Sequence, residues 1–578
     1  MIPSSVIQAV QICACLGIRQ VVISPGSRSA PLTIAFNRHP DIETYTLSDE
    51  RSAAFVALGM VRQGREMVAL VCTSGSAAYN YAPAIAEAYF QQLPLLVFTA
   101  DRPPEWIDQL DGQTIRQQGI YGQHIKKSYE LPIGQGEADD WFAGRQIAEA
   151  IHCGNTCPLG PVHVNVPLRE PFYPAAGQEV SFETLPKVIT EERPSYKELS
   201  LSGSMLEEWL AADRKLIVCG QYPADAEVAA ALQNLSAQSG VPVVADVISN
   251  MHVMNSIRHA DLIPYLRDED LATGLQPGLL MTFGLSVMSK NLKLFLRKYR
   301  PAAHWHIQPA GNAADTFQAL SRVIRAEPAP LLRQLSLHSV QKQAQEKYFQ
   351  KWQRADSTGA AYLDHFFAQQ PVGEFRAVWS VMRSLPGRSV LHLANSMAVR
   401  YANIIGLRQE QAGIEVIANR GTSGIDGSNS TAVGAALRSP RTQVLVTGDL
   451  AFFYDRNAFW HNYRLPNLKI ILLNNGGGGI FKMIDGPARQ PELETFFVTR
   501  QQLKAENTAR DFGMSYQQLK LEDEEDVMAL NALLPEFMNA SREHAAILEI
   551  MSSTDTNTAV FNNYRQGILP FFKSQQHL

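Results

Sequence analysis

Two stretches of this chain carry residue types that could hold a cation and an anion side by side. QVLVTGD ends a β-rich run at Asp449, and LKIILLNN ends another at Asn475, directly before four consecutive glycines, Gly476 to Gly479. A carboxylate, an amide oxygen and a freed backbone carbonyl are hard oxygen donors. They suit Mg²⁺, which prefers octahedral geometry and shares its shell with phosphates and water. Glycine loses more backbone freedom on folding than any other residue, so four in a row imply that something must approach the backbone closely. A diphosphate fits that role beside a cation. A second chemistry is carried by Arg28, Arg102, Arg400 and Arg420, each placed just after a strand-like run or at a polar turn. One such arginine is ordinary surface. Four in comparable loops read as a cluster for carboxylates, which the guanidinium fork matches bidentately. Glu50 opens a helical pattern, where the helix dipole stabilises a carboxylate. No G-x-x-x-x-G-K-[ST] occurs and no strand runs into G-x-G-x-x-G, so a P-loop is excluded and a dinucleotide fold is disfavoured.

These residues need elements that bring them to one edge. The first third alternates short β-rich runs (21–24, 43–48, 67–73, 93–100 and 161–167) with helical patterns such as DERSAAFVALGMV. Strand, loop and helix in repeated order predict a parallel sheet covered on both faces. KLIVCGQYPAD, VPVVADV and GLLMTFGLSVMSKNLKLFL mark a second α/β unit. RSVLHLANS, EVIANRGTSGIDG, TQVLVTGDL, NLKIILLNNGGGG and AILEIMSS mark a third, with DRNAFWHNY as a helix between Asp449 and Asn475. A looser segment over 174–200 reads as a linker, and a Gln-, Lys- and Glu-rich helix over about 338–355 leads into the third unit. The first and third units share a rhythm, with polar loops at strand C-ends, where open α/β sheets bind ligands.

Length and composition agree. At 578 residues the chain exceeds one core, and a prior of ~100–200 residues per domain gives three or four units. A net charge of −5 argues against nucleic acid as the main partner. The six cysteines form no zinc-site spacing and read as free thiols of a reducing compartment. The apolar N-terminus lacks a basic leader and no run reaches the ~18 apolar residues of a membrane span, so a cytoplasmic protein with no integral membrane segment is expected.

GD followed by NN is similar to the diphosphate–metal motif of thiamine-diphosphate enzymes. Here it reads GDL rather than the commoner GDG. With SPGSRSAPL (24–32), SDERSAAFVALG (48–59), TADRPPE (99–105) and NRGTSGIDG (419–427), the chain resembles the 2-succinyl-5-enolpyruvyl-6-hydroxy-3-cyclohexene-1-carboxylate synthase family of the menaquinone pathway. The resemblance implies three doubly wound α/β domains: pyrimidine-binding (1–180), central (195–335) and diphosphate-binding (360–578). It implies a homodimer or homotetramer with each site between the first domain of one subunit and the third of its partner. The implied cofactors are thiamine diphosphate and Mg²⁺, or Mn²⁺ in its place. Asp449, Asn475 and the Gly477 carbonyl are the implied metal ligands, with Gly448, Ser396, Ile480 and Phe481 at the cofactor and Ile425 propping it into a bent form. Glu50 is the implied catalytic carboxylate, holding N1′ of the aminopyrimidine so that the cofactor's own 4′ nitrogen can take the C2 proton. Arg28, Arg102, Arg400 and Arg420, with Ser27, Gln113, Lys290 and Ser396, are the implied substrate contacts. The implied reaction is decarboxylation of 2-oxoglutarate and 1,4-addition of the succinyl fragment to isochorismate.

Three other readings compete. Another thiamine-diphosphate-dependent 2-oxo acid carboligase or decarboxylase would keep Glu50 and the metal pair, but the GDL variant and the arginine set argue against it. A non-catalytic protein on this fold would have lost Glu50 or the metal pair, and both are present. A dehydrogenase lacks its nucleotide fingerprint. His124 and His392 are expected to be structural.

Overall fold

The computed structural model describes residues 2–575 apart from 135, 176–178, 183–185, 193–195, 197–199, 267–268, 339–341 and 370. Three parallel sheets form in chain order. The first holds β1 (Gln20–Ile23), β2 (Glu43–Thr46), β3 (Val68–Cys72), β4 (Leu95–Asp101), β5 (Ser128–Glu130) and β6 (Val162–Pro167), in spatial order β2-β1-β3-β4-β6-β5. The second holds β7 (Lys215–Cys219), β8 (Val243–Ala245), β9 (Leu279–Phe283), β10 (Ala303–Ile307) and β11 (Arg322–Ile324), in order β11-β10-β9-β7-β8. The third holds β12 (Val390–Leu393), β13 (Glu415–Ile417), β14 (Gln443–Gly448), β15 (Leu468–Asn474), β16 (Ser515–Lys520) and β17 (Ala546–Met551), in order β13-β12-β14-β15-β17-β16. The first and third sheets therefore have the same topology.

The central strands are buried along their whole length, as in β3, β4 and β15. That burial is why they read as continuous apolar runs rather than alternating ones. Helices cover both faces. The α/β class expected from the sequence is the fold observed.

The first and third sheets are joined through two helices, Glu50–Gly64 and Ser428–Arg438. Phe55, Val56 and Leu58 of one helix share a core cluster with Ala432, Val433 and Ala436 of the other. Glycine makes the approach close. A Cβ on Gly59 would lie 2.0 Å from the Thr431 carbonyl oxygen, and one on Gly434 would lie 1.9 Å from that of Val56. Neither contact can be met without moving the helices apart. Gly59→Ala is expected to cost about 1–3 kcal/mol through overpacking. A thermal midpoint equal to wild type would contradict it.

Two helices differ from expectation. DRNAFWHNY, expected as a helix, forms none: the α-helix lies just before it at Asp449–Tyr454, and only a 3₁₀ turn at Arg456–Phe459 falls within it. Asp455 ends the α-helix. Its buried carboxylate accepts the Ser430 N–H and hydroxyl, each at 2.7 Å, and its carbonyl accepts the Asn429 amide. The Gln-rich helix runs Gln343–Ala368, because Tyr362, Leu363, Phe366 and Phe367 continue its buried face; 339–341 lie outside the described residues. Much of the expected 174–200 linker also lies outside them, and no helix or strand is assigned in the rest.

Candidate functional site

Most of the residues singled out by sequence sit at strand C-termini. Ser27 and Arg28 follow β1, Glu50 follows β2, and Arg102 follows β4. Ser396 and Arg400 follow β12, Arg420 and Ile425 follow β13, Gly448 ends β14, and Asn475 follows β15. In both outer sheets the chain reverses its direction of travel beside the first strand, which is where open α/β sheets form their ligand crevice.

The third sheet carries such a crevice. Ser396, Arg400, Arg420, Ile425, Gly448, Asp449, Asn475, Gly477, Ile480 and Phe481 line one cavity of about 360 Å³. Two serines on its wall, Ser396 at φ 72° and Ser423 at φ 63°, hold left-handed backbone that normally favours glycine. Such strain persists where surrounding structure enforces it, commonly at ligand sites.

Asp449 begins its helix and is 3% exposed. Its Oδ2 accepts the Gln501 amide at 2.7 Å and its Oδ1 accepts the Leu450 N–H at 2.8 Å. Burial is the main cause that raises its pKa above the ordinary value. Asn475 donates its amide to Glu374 Oε1 at 2.6 Å and accepts the Gly477 N–H on Oδ1 at 3.2 Å. Glu374 is 2% exposed; burial first, and the nearby Asp449 second, push its carboxyl up to about 8. Among the described residues neither carboxylate has an ion-pair partner. Two buried carboxyl groups close together, with an amide oxygen and a glycine-rich backbone, fit a divalent cation held with phosphate oxygens. Among the described residues no three His, Cys, Asp or Glu side chains converge as a metal cluster. The Asp449 carboxylate, the Asn475 amide oxygen and the Gly477 carbonyl are oxygen donors of the hard type.

The glycines answer to the chain itself. Gly476 has φ 77° and Gly477 φ 153°. A Cβ on Gly477 would stand 2.6 Å from the Val498 carbonyl oxygen, and one on Gly478 2.9 Å from that of Phe497. The Gly478 N–H donates to Val498 at 2.6 Å and the Gln501 N–H to Gly476 at 2.9 Å. The segment 497–501 therefore lies across the glycines and delivers Gln501 to Asp449.

The cationic wall is held by backbone and amide groups. Arg400 donates to the Ser396 carbonyl at 2.6 Å, and Arg420 to Asn395 Oδ1 at 2.7 Å. Burial lowers both pKa values, and for Arg420 the charge of Arg400 is the next cause. Neither is ion-paired among the described residues. The loop after Arg420 is fixed from the first sheet's side: Glu87, 1% exposed, accepts the N–H groups of Gly421 and Thr422 at 2.7 and 2.6 Å.

The other candidates lie outside that cavity. Arg28 is buried, donates to the Leu168 carbonyl at 2.9 Å and lies over the Phe172 ring. Burial, then the charge of Arg102, lowers its pKa. Arg102 pairs with Asp111 at 2.8 Å and donates to the Gly112 carbonyl, next to exposed Gln113 at φ 53°. Ser27 is exposed. Glu50 accepts the Asn80 amide at 3.3 Å. Lys290 is an exposed first residue of the helix Lys290–Lys298. None of these six lines the Asp449 cavity. His392 is a buried structural residue, bonded to Gln443 at 2.8 Å.

Sequence reasoning missed Glu374, Asn395, Gln501 and Glu87. Each acts on a residue far along the chain, and none stands in a motif that marks it.

Three family models cover the chain: "Thiamine pyrophosphate enzyme, N-terminal TPP binding domain" at 8–123, "Middle domain of thiamine pyrophosphate" at 189–393, and "Thiamine pyrophosphate enzyme, C-terminal TPP binding domain" at 400–550. A protein of Cytophaga hutchinsonii named 2-succinyl-5-enolpyruvyl-6-hydroxy-3-cyclohexene-1-carboxylate synthase is 43% identical over 96% of this chain and 96% of its own length. The chain belongs to this synthase family. Relatives of the same name from Flavobacterium johnsoniae (39% identical, over 96% of this chain and 97% of theirs) and Porphyromonas gingivalis (37%, over 95% and 94%) match as fully. As a member of the synthase family the chain is a thiamine-diphosphate-dependent enzyme with three α/β domains. Among its described residues no helix is long and apolar enough to cross a membrane.

Proposed function

We propose that the chain catalyses decarboxylation of 2-oxoglutarate and 1,4-addition of the resulting succinyl fragment to isochorismate, giving 2-succinyl-5-enolpyruvyl-6-hydroxy-3-cyclohexene-1-carboxylate and CO₂ in menaquinone biosynthesis in the cytoplasm. The observation that carries this reading is the meeting of Arg400 and Arg420, both without carboxylate partners among the described residues, with Asp449, Asn475 and Gly477 in one cavity. A donor set for a cation–diphosphate pair beside two guanidinium groups without carboxylate partners among the described residues suits dicarboxylate substrates. A small neutral aldehyde would leave that charge unanswered.

In this reading, residues 1–180, 195–335 and 360–578 are the pyrimidine-binding, central and diphosphate-binding domains. Asp449, Asn475 and the Gly477 carbonyl hold Mg²⁺, or Mn²⁺ in its place, with Gly448, Ile480 and Phe481 around the cofactor. Ile425, which lines the cavity, would pack against the bound cofactor. Bound thiamine diphosphate supplies the nucleophilic carbon and the electron sink. Glu50 shares a proton with N1′ of the aminopyrimidine. Arg28, Arg102, Arg400 and Arg420 orient the carboxylates of donor and acceptor and offset the three carboxylates of the product. Ser27, Gln113, Lys290 and Ser396 add polar contacts. Glu50 and the arginines of the first sheet do not line the Asp449 cavity of the same chain, which supports a site shared between copies in a homodimer or homotetramer.

The test is an assay with thiamine diphosphate, Mg²⁺, 2-oxoglutarate and isochorismate, reading CO₂ release and product mass. The expected result is one CO₂ per adduct of the two substrates. Turnover with 2-oxoglutarate and pyruvate, and none with isochorismate, would replace this reading with that of a different carboligase.

A further inference from the structure

Glu374 is a buried carboxylate that the reaction above does not use. It is the first residue of the helix Glu374–Ser384, at 2% exposure, and lines the cavity of Asp449. Taking a carboxylate out of water is costly unless a partner compensates, and among the described residues no cationic side chain pairs with it. Its backbone is fixed from behind. The Glu374 N–H donates to Asn557 Oδ1 at 2.9 Å, and Asn557 is 1% exposed. Gly373, at φ 128°, admits that contact, since a Cβ there would stand 2.5 Å from the same oxygen. What this anchored carboxylate meets is the Asn475 amide nitrogen, at 2.6 Å.

An asparagine amide has two unlike ends, and only the oxygen can bind a cation. Free to turn, it could present its NH₂ group instead. A carboxyl oxygen on the nitrogen side, which can accept whether or not the group is ionised, fixes the choice and turns Oδ1, which accepts the Gly477 N–H at 3.2 Å, the other way. We propose that Glu374 is a positioning residue, which captures Asn475 Nδ2 and thereby aims Asn475 Oδ1 at the divalent cation. Partners of this kind behind metal ligands set ligand orientation, and their loss typically costs about 10–100-fold in metal affinity. The proposal rests on the reading of Asn475 as a metal ligand.

The experiment titrates Mn²⁺ into the full chain with saturating thiamine diphosphate, following free Mn²⁺ by electron paramagnetic resonance. Wild type must first bind Mn²⁺ in a diphosphate-dependent way; if it does not, the metal site itself is wrong and this inference falls with it. Glu374→Met keeps the side-chain volume and removes the acceptor. It is expected to weaken Mn²⁺ about 10–100-fold, with Glu374→Gln, which retains an acceptor oxygen, recovering most of that loss. In an Asn475→Ala background Glu374→Met should add less than about threefold, the scatter of independent effects. Unchanged affinity in Glu374→Met overturns the inference. So does equal loss in Met and Gln, which would indicate charge alone, and so does full additivity with Asn475→Ala. Should Glu374→Met lose its far-ultraviolet circular dichroism, Glu374→Asp takes its place: it keeps the charge and withdraws the oxygen, and a wild-type Mn²⁺ affinity there overturns the inference.

Discussion

Glu50→Gln is expected to slow exchange of the C2 proton of bound thiamine diphosphate about 10²–10⁴-fold, the range for removing a positioned acid–base group. Cofactor affinity should stay near wild type. Glutamine has nearly the shape of glutamate and can still meet N1′, but it cannot hold the shared proton as a carboxyl does. The local structure makes the substitution clean. Glu50 is the first residue of its helix, and the helix is capped independently by Asp49, whose carboxylate accepts the Ser52 N–H at 3.1 Å. Its one described side-chain bond is to Asn80, at 3.3 Å. The fold therefore does not depend on the charge. Hydrogen–deuterium exchange at C2, quenched and read by NMR, gives the rate directly. A wild-type rate in the variant removes Glu50 from its role.

Asp449→Ala is expected to weaken Mg²⁺-dependent cofactor binding strongly. The remaining donors, an amide and a backbone carbonyl, carry no formal charge, and Mg²⁺ dehydrates reluctantly for neutral ligands. The variant also frees the Gln501 amide, which donates to Asp449 Oδ2 at 2.7 Å and to Asn474 Oδ1 at 3.2 Å. The second bond remains, so the 497–501 segment keeps part of its hold. Titrating cofactor at several Mg²⁺ concentrations, followed by intrinsic fluorescence, separates this from a general loss of structure. An unchanged titration would show that the cation is held elsewhere.

Much of the architecture was legible because buried parallel strands announce themselves. VALVC, LLVFTAD and LKIILLN are apolar along both faces, and the polar residues that break them fall at the sheet edge where ligands bind. Asp449 and Asn475 can be paired on that pattern alone. Of the strands that the sequence leaves unmarked, Ser128–Glu130, Arg322–Ile324 and Ser515–Lys520 lie at sheet edges and are short or largely polar, whereas Ala303–Ile307 is internal and two histidines interrupt its apolar run. Half-exposed edges leave no apolar run to read. Glu374 and Gln501 escaped for another reason. They contact their ligand candidates across 101 and 52 residues of chain, and a glutamate after a glycine at a helix start looks like any other first-turn acid. At Gly477 and Gly478 the backbone carbonyls of Val498 and Phe497 exclude side chains with no diphosphate needed, a contact no local pattern announces.

The clasp between Glu50–Gly64 and Ser428–Arg438 bears on how this protein can be recombined. Gly59 faces a carbonyl of the opposite helix and Gly434 faces one in return, while Glu87 supplies the acceptors for the loop behind Arg420. These matched pairs straddle the boundary that a designer of chimaeras would cut. A third unit grafted from a distant relative would need to match Gly59 and Glu87 of the first unit, and also Gln221 and Asn250 of the central unit, which bond the Ala418 and Val416 backbone.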